Sequence, residues 1–80
     1  MDWQLLEWYR GCPILHRPGL QRRGYLSVYH NHYRDDGEIG SYVHHSEATA
    51  KRHIDKLHKD LGQRVELTPA EFDAYMAAHK

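Results

Sequence analysis

Eight histidines in 80 residues put metal chemistry first among the reactions this chain could support. His30 and His32 stand two apart, and alternate residues of a strand share a face, so their rings can converge on one ion. His45 joins that face when the following strand folds back, which would complete a set of three imidazoles. The spacing fits no zinc signature, and no nearby acid is placed to orient the rings. Histidines also serve as medium-sized polar side chains on a half-buried sheet. No metal and no cofactor are therefore expected, and His30, His32 and His45 are the candidates if one binds.

Nucleophilic chemistry has less to stand on. Cys12 sits beside Pro13 in a chain break, and Ser27, Ser41 and Ser46 lack the sharp glycine-flanked turn that exposes a catalytic serine. There is no glycine-rich phosphate loop. The string His30-Asn31-His32 spells HNH, but the residues of that nuclease motif come from a strand, a loop and a helix. Asn31, the only asparagine, comes too early for the loop role. A non-enzymatic protein is expected.

Four tyrosines carry a different chemistry. Tyr25, Tyr29, Tyr33 and Tyr42 fall on one face of a β-hairpin, with Arg22, Arg23 and Arg34 around them. Tyrosine is rigid and amphipathic and is enriched where proteins meet. The same rings could stack on single-stranded bases while the arginines meet phosphates. The opposing reading is that a helix covers this face and makes the tyrosines core.

Residues 24–61 must position these groups, as a hairpin running into a helix. Asp36-Gly37 supplies the positive φ that a two-residue type I′ turn needs. That turn sets a register with Tyr33 opposite Gly40, Asn31 opposite Tyr42, Tyr29 opposite His44 and Val28 opposite His45. One face then holds Leu26, Val28, His30, His32, Ile39, Ser41, Val43 and His45. The other holds Tyr25, Ser27, Tyr29, Asn31, Tyr33, Tyr42 and His44. Ser46 caps the helix and Gly62 stops it. Ala50, Ile54, Leu57 and Leu61 make its apolar stripe, expected to pack on the aliphatic hairpin face. Glu47–Lys51 and Asp55–Lys59 are spaced as i,i+4 ion pairs.

The flanks complete the expected order. Residues 2–9 read as a short helix, capped by Asp2 and apolar nearly all round. Gly11-Cys12-Pro13 breaks it, and residues 14–16 read as an edge strand stopped by Pro18-Gly19. Residues 64–67 read as a short strand. Thr68-Pro69-Ala70-Glu71 spells a capping box that opens a last helix, with Phe72, Tyr75, Met76 and His79 along one side. The result is an α+β domain spanning 1–80: a small antiparallel sheet on a central amphipathic helix, with short N- and C-terminal helices.

Eleven basic and eleven acidic residues cancel. This excludes a strongly basic nucleic-acid binder and an acidic mimic of DNA. Four arginines and His16 lie between positions 10 and 23 with no acid among them, and they read as a solvated loop. A single cysteine rules out an internal disulfide, so a reducing, cytoplasmic setting is expected. No signal peptide or membrane-spanning run is visible. A chain this short has a thin stability margin, as a monomer or a homodimer.

Two resemblances bear on function. The hairpin and helix of residues 24–61 resemble the sheet-plus-helix DNA-binding domains of tyrosine-integrase arm-binding regions and of plant ethylene-responsive factors. Those families read the major groove with strand arginines and lysines; here the strands carry Tyr and His, with Arg34 alone near the turn. In size and class the whole chain resembles small phage and mobile-element proteins of the anti-CRISPR type, which act by covering a surface of a nuclease complex. The expectation is a phage or mobile-element binding protein that inhibits or modulates a larger assembly by protein–protein contact, a nucleoprotein nuclease complex among the partners it implies. The alternative is a nucleic-acid-binding domain using the tyrosine and arginine face.

Overall fold

The computed structural model describes residues 3–19 and 23–78. The cap at Asp2, the rim residue Arg22 and the helix residue His79 therefore lie outside the described residues. Four antiparallel strands, β1 (Gln4–Tyr9), β2 (Cys12–His16), β3 (Tyr25–His30) and β4 (Ile39–His44), form one sheet in the order β1-β2-β3-β4. Helix α1 (Glu47–Leu61), a 3₁₀ turn (Gly62–Val65) and helix α2 (Pro69–Ala78) follow. The α+β class and the antiparallel sheet are as expected.

The N-terminal segment is a strand, not a helix. Arg10 (φ 49°) and Gly11 (φ 80°) both adopt positive φ and join β1 to β2 as a two-residue turn. A bulge between Leu5 and Glu7 then shifts the strand's alternation. Trp3 and Trp8, five residues apart, consequently reach the same face, that of Phe72. Pro13 pairs with Trp8, and the β2–β3 ladder starts only at Ile14–Ser27. Proline has no N–H with which to extend that ladder.

The hairpin register also differs. Tyr29 opposes Gly40 rather than His44, and His30 opposes Ile39. The connection is a loop, 31–38, rather than a two-residue turn. Two side chains fold it: Asn31 Oδ1 accepts from Tyr33 N–H at 3.2 Å, and Asp36 Oδ1 accepts from Glu38 N–H at 3.0 Å. Such Asx turns compete with a tight hairpin turn. The shift is an even number of residues, so the strand residues of each expected face stay together, while Asn31, His32 and Tyr33 fall in the loop and His45 beyond β4.

The layers are exchanged, however. Helix α1 lays Ala50, Ile54 and Leu57 on the tyrosine face, against Tyr29 and against Cys12 and Ile14 of β2. Ile14 opposes Ser27, so β2 supplies the aliphatic groups that the hairpin alone lacks there. The aliphatic face, with Leu15, Leu26 and Val28, is covered by Leu67 and by Phe72 of α2. Trp8 meets Phe72 edge to face, with ring centroids 5.6 Å apart. Each face of the sheet thus has its own helix and its own apolar cluster.

The helix boundaries are those expected. Ser46 Oγ accepts from Thr49 N–H while Thr49 Oγ1 accepts from Ser46 N–H, and Gly62 ends α1 at φ 74°. Thr68 and Glu71 exchange the capping-box bonds at 2.9 and 3.1 Å. Residues 64–67 do not join the sheet; Leu67 N–H donates to the Gly11 carbonyl at 2.9 Å, fastening this segment to the β1–β2 turn. Among the described residues, no helix is long and apolar enough to cross a membrane.

Candidate functional site

Helix α1 crosses the sheet with two rims. The rim toward β1 is ionic: Lys51 reaches Glu47 and Glu7, and Asp55 takes both Arg10 and the Tyr9 hydroxyl. The expected Asp55–Lys59 pair does not form, because Asp55 turns to the sheet. The rim toward β4 carries His53, Lys56 and Asp60, each one turn from the next. There β4 offers Tyr42 and His44, and loop 31–38 offers Tyr33.

The four tyrosines separate along this arrangement. Tyr29 is core, 6 % exposed, and burial raises its hydroxyl pKa. Tyr25 is half-buried against His16, with centroids 4.8 Å apart. Tyr33 and Tyr42 remain 59 % and 57 % exposed. Both are nevertheless held: the Tyr33 hydroxyl donates to Asp60 at 2.7 Å, and the Tyr42 ring lies 4.9 Å from His53 and 5.1 Å from His44. Arg34 is exposed beside Tyr33, whereas Arg23, also exposed, precedes the far end of β3. A six-residue strand is about 17–20 Å long, so the two arginines do not rim one surface.

Beneath Tyr42 lies a cluster not anticipated from the sequence. The fully buried Ser27 Oγ is 3.0 Å from His44 Nε2 and 2.9 Å from His53 Nδ1. With both rings neutral, the hydroxyl donates to one nitrogen and accepts from the other. Burial first, then His53 and His45, push the His44 pKa down to about 4. Burial, then Lys56, lowers that of His53. The contacts resemble half of a serine hydrolase relay, but an oxygen with no exposure cannot attack a substrate. The cluster ties β3, β4 and α1 together. Ser27 and His44 already shared the tyrosine face in the sequence; nothing in the sequence pointed to His53.

The candidate metal ligands are not brought together. His45 follows β4 at one end, while His30 opposes Ile39 at the other. His30 Nδ1 lies 3.0 Å from the Gly37 carbonyl and Nε2 lies 2.6 Å from Glu71 Oε2. The His30 and His32 ring centroids are 6.0 Å apart. Among the described residues, no three His, Cys, Asp or Glu side chains are placed to hold a metal ion.

No family model, curated protein or solved structure matches the chain. Its surface must be read on its own terms. Among the described residues, the exposed large apolar side chains besides Tyr33 and Tyr42 are Leu5, Leu6 and Trp8 of edge strand β1. The bulge there interrupts the ladder that another strand would extend, a common protection of sheet edges. The β4 side carries no such bulge among its pairs with β3.

Proposed function

We propose that this chain is a non-enzymatic binding protein that inhibits or modulates a larger assembly by protein–protein contact. One observation carries the reading: Tyr33 and Tyr42 are more than half exposed, yet each is already anchored by a neighbour. An exposed ring fixed before binding loses little freedom on binding, which favours affinity. Large aromatic side chains dominate the energetics of many protein interfaces. Arg34 extends the surface beyond Tyr33, while Tyr25, Tyr29 and Arg23 belong to the core or to the other end of the sheet.

The anti-CRISPR type of action, on a nucleoprotein nuclease complex and from a phage or mobile element, enters through the resemblance in size and class. The test is capture from lysate with the full chain as bait, with and without nuclease treatment. A protein complex retained after nuclease and lost with Tyr33→Ala/Tyr42→Ala supports the reading. Recovery that vanishes with nuclease moves the function to nucleic-acid binding through the same surface.

A further inference from the structure

Charge is segregated on this chain although its totals cancel at eleven and eleven. The acids of α1 are engaged: Glu47 by Lys51, Asp55 by Arg10 and Tyr9, and Asp60 by the Tyr33 hydroxyl. Arg52, Lys56 and Lys59 are all exposed, and among the described residues none of them takes part in an ion pair. Spaced four and three apart, they form one ridge, with steps of about 6 and 4.5 Å along the axis. Lys56 stands between His53, which meets Tyr42, and Asp60, which holds Tyr33. Opposite charge lies at one end. Loop 31–38, which the Tyr33–Asp60 bond fastens to the C-terminal part of α1, exposes three acids, Asp35, Asp36 and Glu38, against the one arginine Arg34, and is acidic on balance.

We propose that this mosaic docks the acidic face of a partner protein. Carboxylates of the partner meet Arg52, Lys56 and Lys59, its apolar groups meet Tyr33 and Tyr42, and a cationic group meets the loop acids. The inference rests on the binding-protein reading and names the partner's chemistry. The acidic loop decides between polyanions. A nucleic-acid strand carries one sign of charge along its length and meets this loop as a like charge. A protein can be acidic over the ridge and basic over the loop, and such matching sets orientation and partner choice.

The test is amide-shift mapping of the ¹⁵N-labelled full chain with three probes: a polyglutamate peptide, a polylysine peptide and an oligothymidylate. Polyglutamate is expected to give saturable, salt-sensitive shifts at Arg52, Lys56, Lys59 and Tyr42. Polylysine is expected to shift Asp35, Asp36 and Glu38. Arg52→Glu/Lys56→Glu, or the milder Lys56→Gln, should lose the polyglutamate shifts while keeping the wild-type circular dichroism. Shifts that never saturate, or that survive charge reversal, overturn the proposal. So does tighter binding of oligothymidylate than of polyglutamate, which assigns the ridge to single-stranded nucleic acid. The charge-reversed variant also enters the capture assay. A partner kept by it but lost with Tyr33→Ala/Tyr42→Ala removes the acidic-partner inference and leaves the binding-protein reading standing.

Discussion

Ser27 Oγ in β3 lies 3.0 Å from His44 Nε2 in β4, with both side chains buried and the His53 ring of α1 completing the bridge. Both imidazoles are held neutral, chiefly by burial. The unfolded chain takes up a proton at His44 near 6.5, whereas the folded chain takes it up only at about 4. The folded pKa is the lower one, so the stability from this group is complete above pH 6.5 and drains away as pH falls toward about 4. The urea midpoint should therefore fall across that window, and His44→Gln should flatten the fall. Equal slopes in the two proteins would rule out His44 as the source.

Ser27→Ala makes a separate prediction. It leaves two ring nitrogens facing a methyl group at a position with no exposure of its own. An unsatisfied buried polar group costs about 1–3 kcal/mol. Equilibrium unfolding at neutral pH should show a loss in that range. A neutral result would mean that the two rings re-pair with each other or with water.

The tyrosines should divide under mutation as they divide in burial. Tyr29→Ala empties a space between Ile14, Ile54 and Leu57. Truncating a buried aromatic costs about 3–5 kcal/mol. Tyr33→Ala and Tyr42→Ala remove exposed rings, and surface changes mostly stay within about 0.5 kcal/mol. Thermal denaturation of the three single variants checks this. A large loss at Tyr42 would make that ring a structural lid over His44 and His53 rather than a contact surface.

How far the sequence could foretell this arrangement is visible in these same residues. Alternation placed Ser27, Tyr29, Tyr42 and His44 on one face, and that held because the register moved by an even number of residues. The caps at Ser46, Gly62 and Thr68–Glu71 were legible because local side-chain bonds decide them. Residues 2–9 were misread because the bulge before Glu7 erases the period of two on which a strand is recognised. The choice of helix for each face was illegible from the hairpin alone. It depends on Cys12 and Ile14 of β2, whose partner in the sheet no local pattern reveals.

Glu71 joins two parts of the molecule. Its Oε1 accepts from Thr68 N–H at 2.9 Å and its Oε2 meets His30 Nε2 at 2.6 Å, while His30 Nδ1 faces the Gly37 carbonyl. Both ring nitrogens face acceptors, and a neutral ring donates from only one of them. The Thr68 backbone bond chiefly holds the Glu71 carboxyl below its ordinary 4.5; burial opposes it, and the bond to His30 adds a smaller lowering effect than burial takes away. Its contribution is thus present above pH 4.5 and lost as pH falls through the lower folded value. Glu71→Gln keeps a capping residue and should cost less than Glu71→Ala. Equal losses would mean that the carboxylate's contact with His30, and not the cap, is what matters.

Cys12 offers a probe of the β1–β2 turn. The thiol is fully buried, with Sγ 3.6 Å from the Val65 carbonyl, and burial, then Glu66, push its pKa up to about 12. Since the thiolate is the reactive form, iodoacetamide should label Cys12 only through opening of the fold. Gly11 controls that opening. It sits at φ 80°, and a Cβ there would collide with the Glu66 side chain, whose carboxylate stands 3.7 Å from His58. The left-handed conformation alone costs a residue with a Cβ about 1–2 kcal/mol. Each 1.4 kcal/mol of lost stability raises an open population about tenfold. Gly11→Ala should therefore speed Cys12 labelling by about tenfold or more, with the rate suppressed again by conditions that stabilise the fold. Labelling at the wild-type rate would show that the turn yields without loosening the core beneath it.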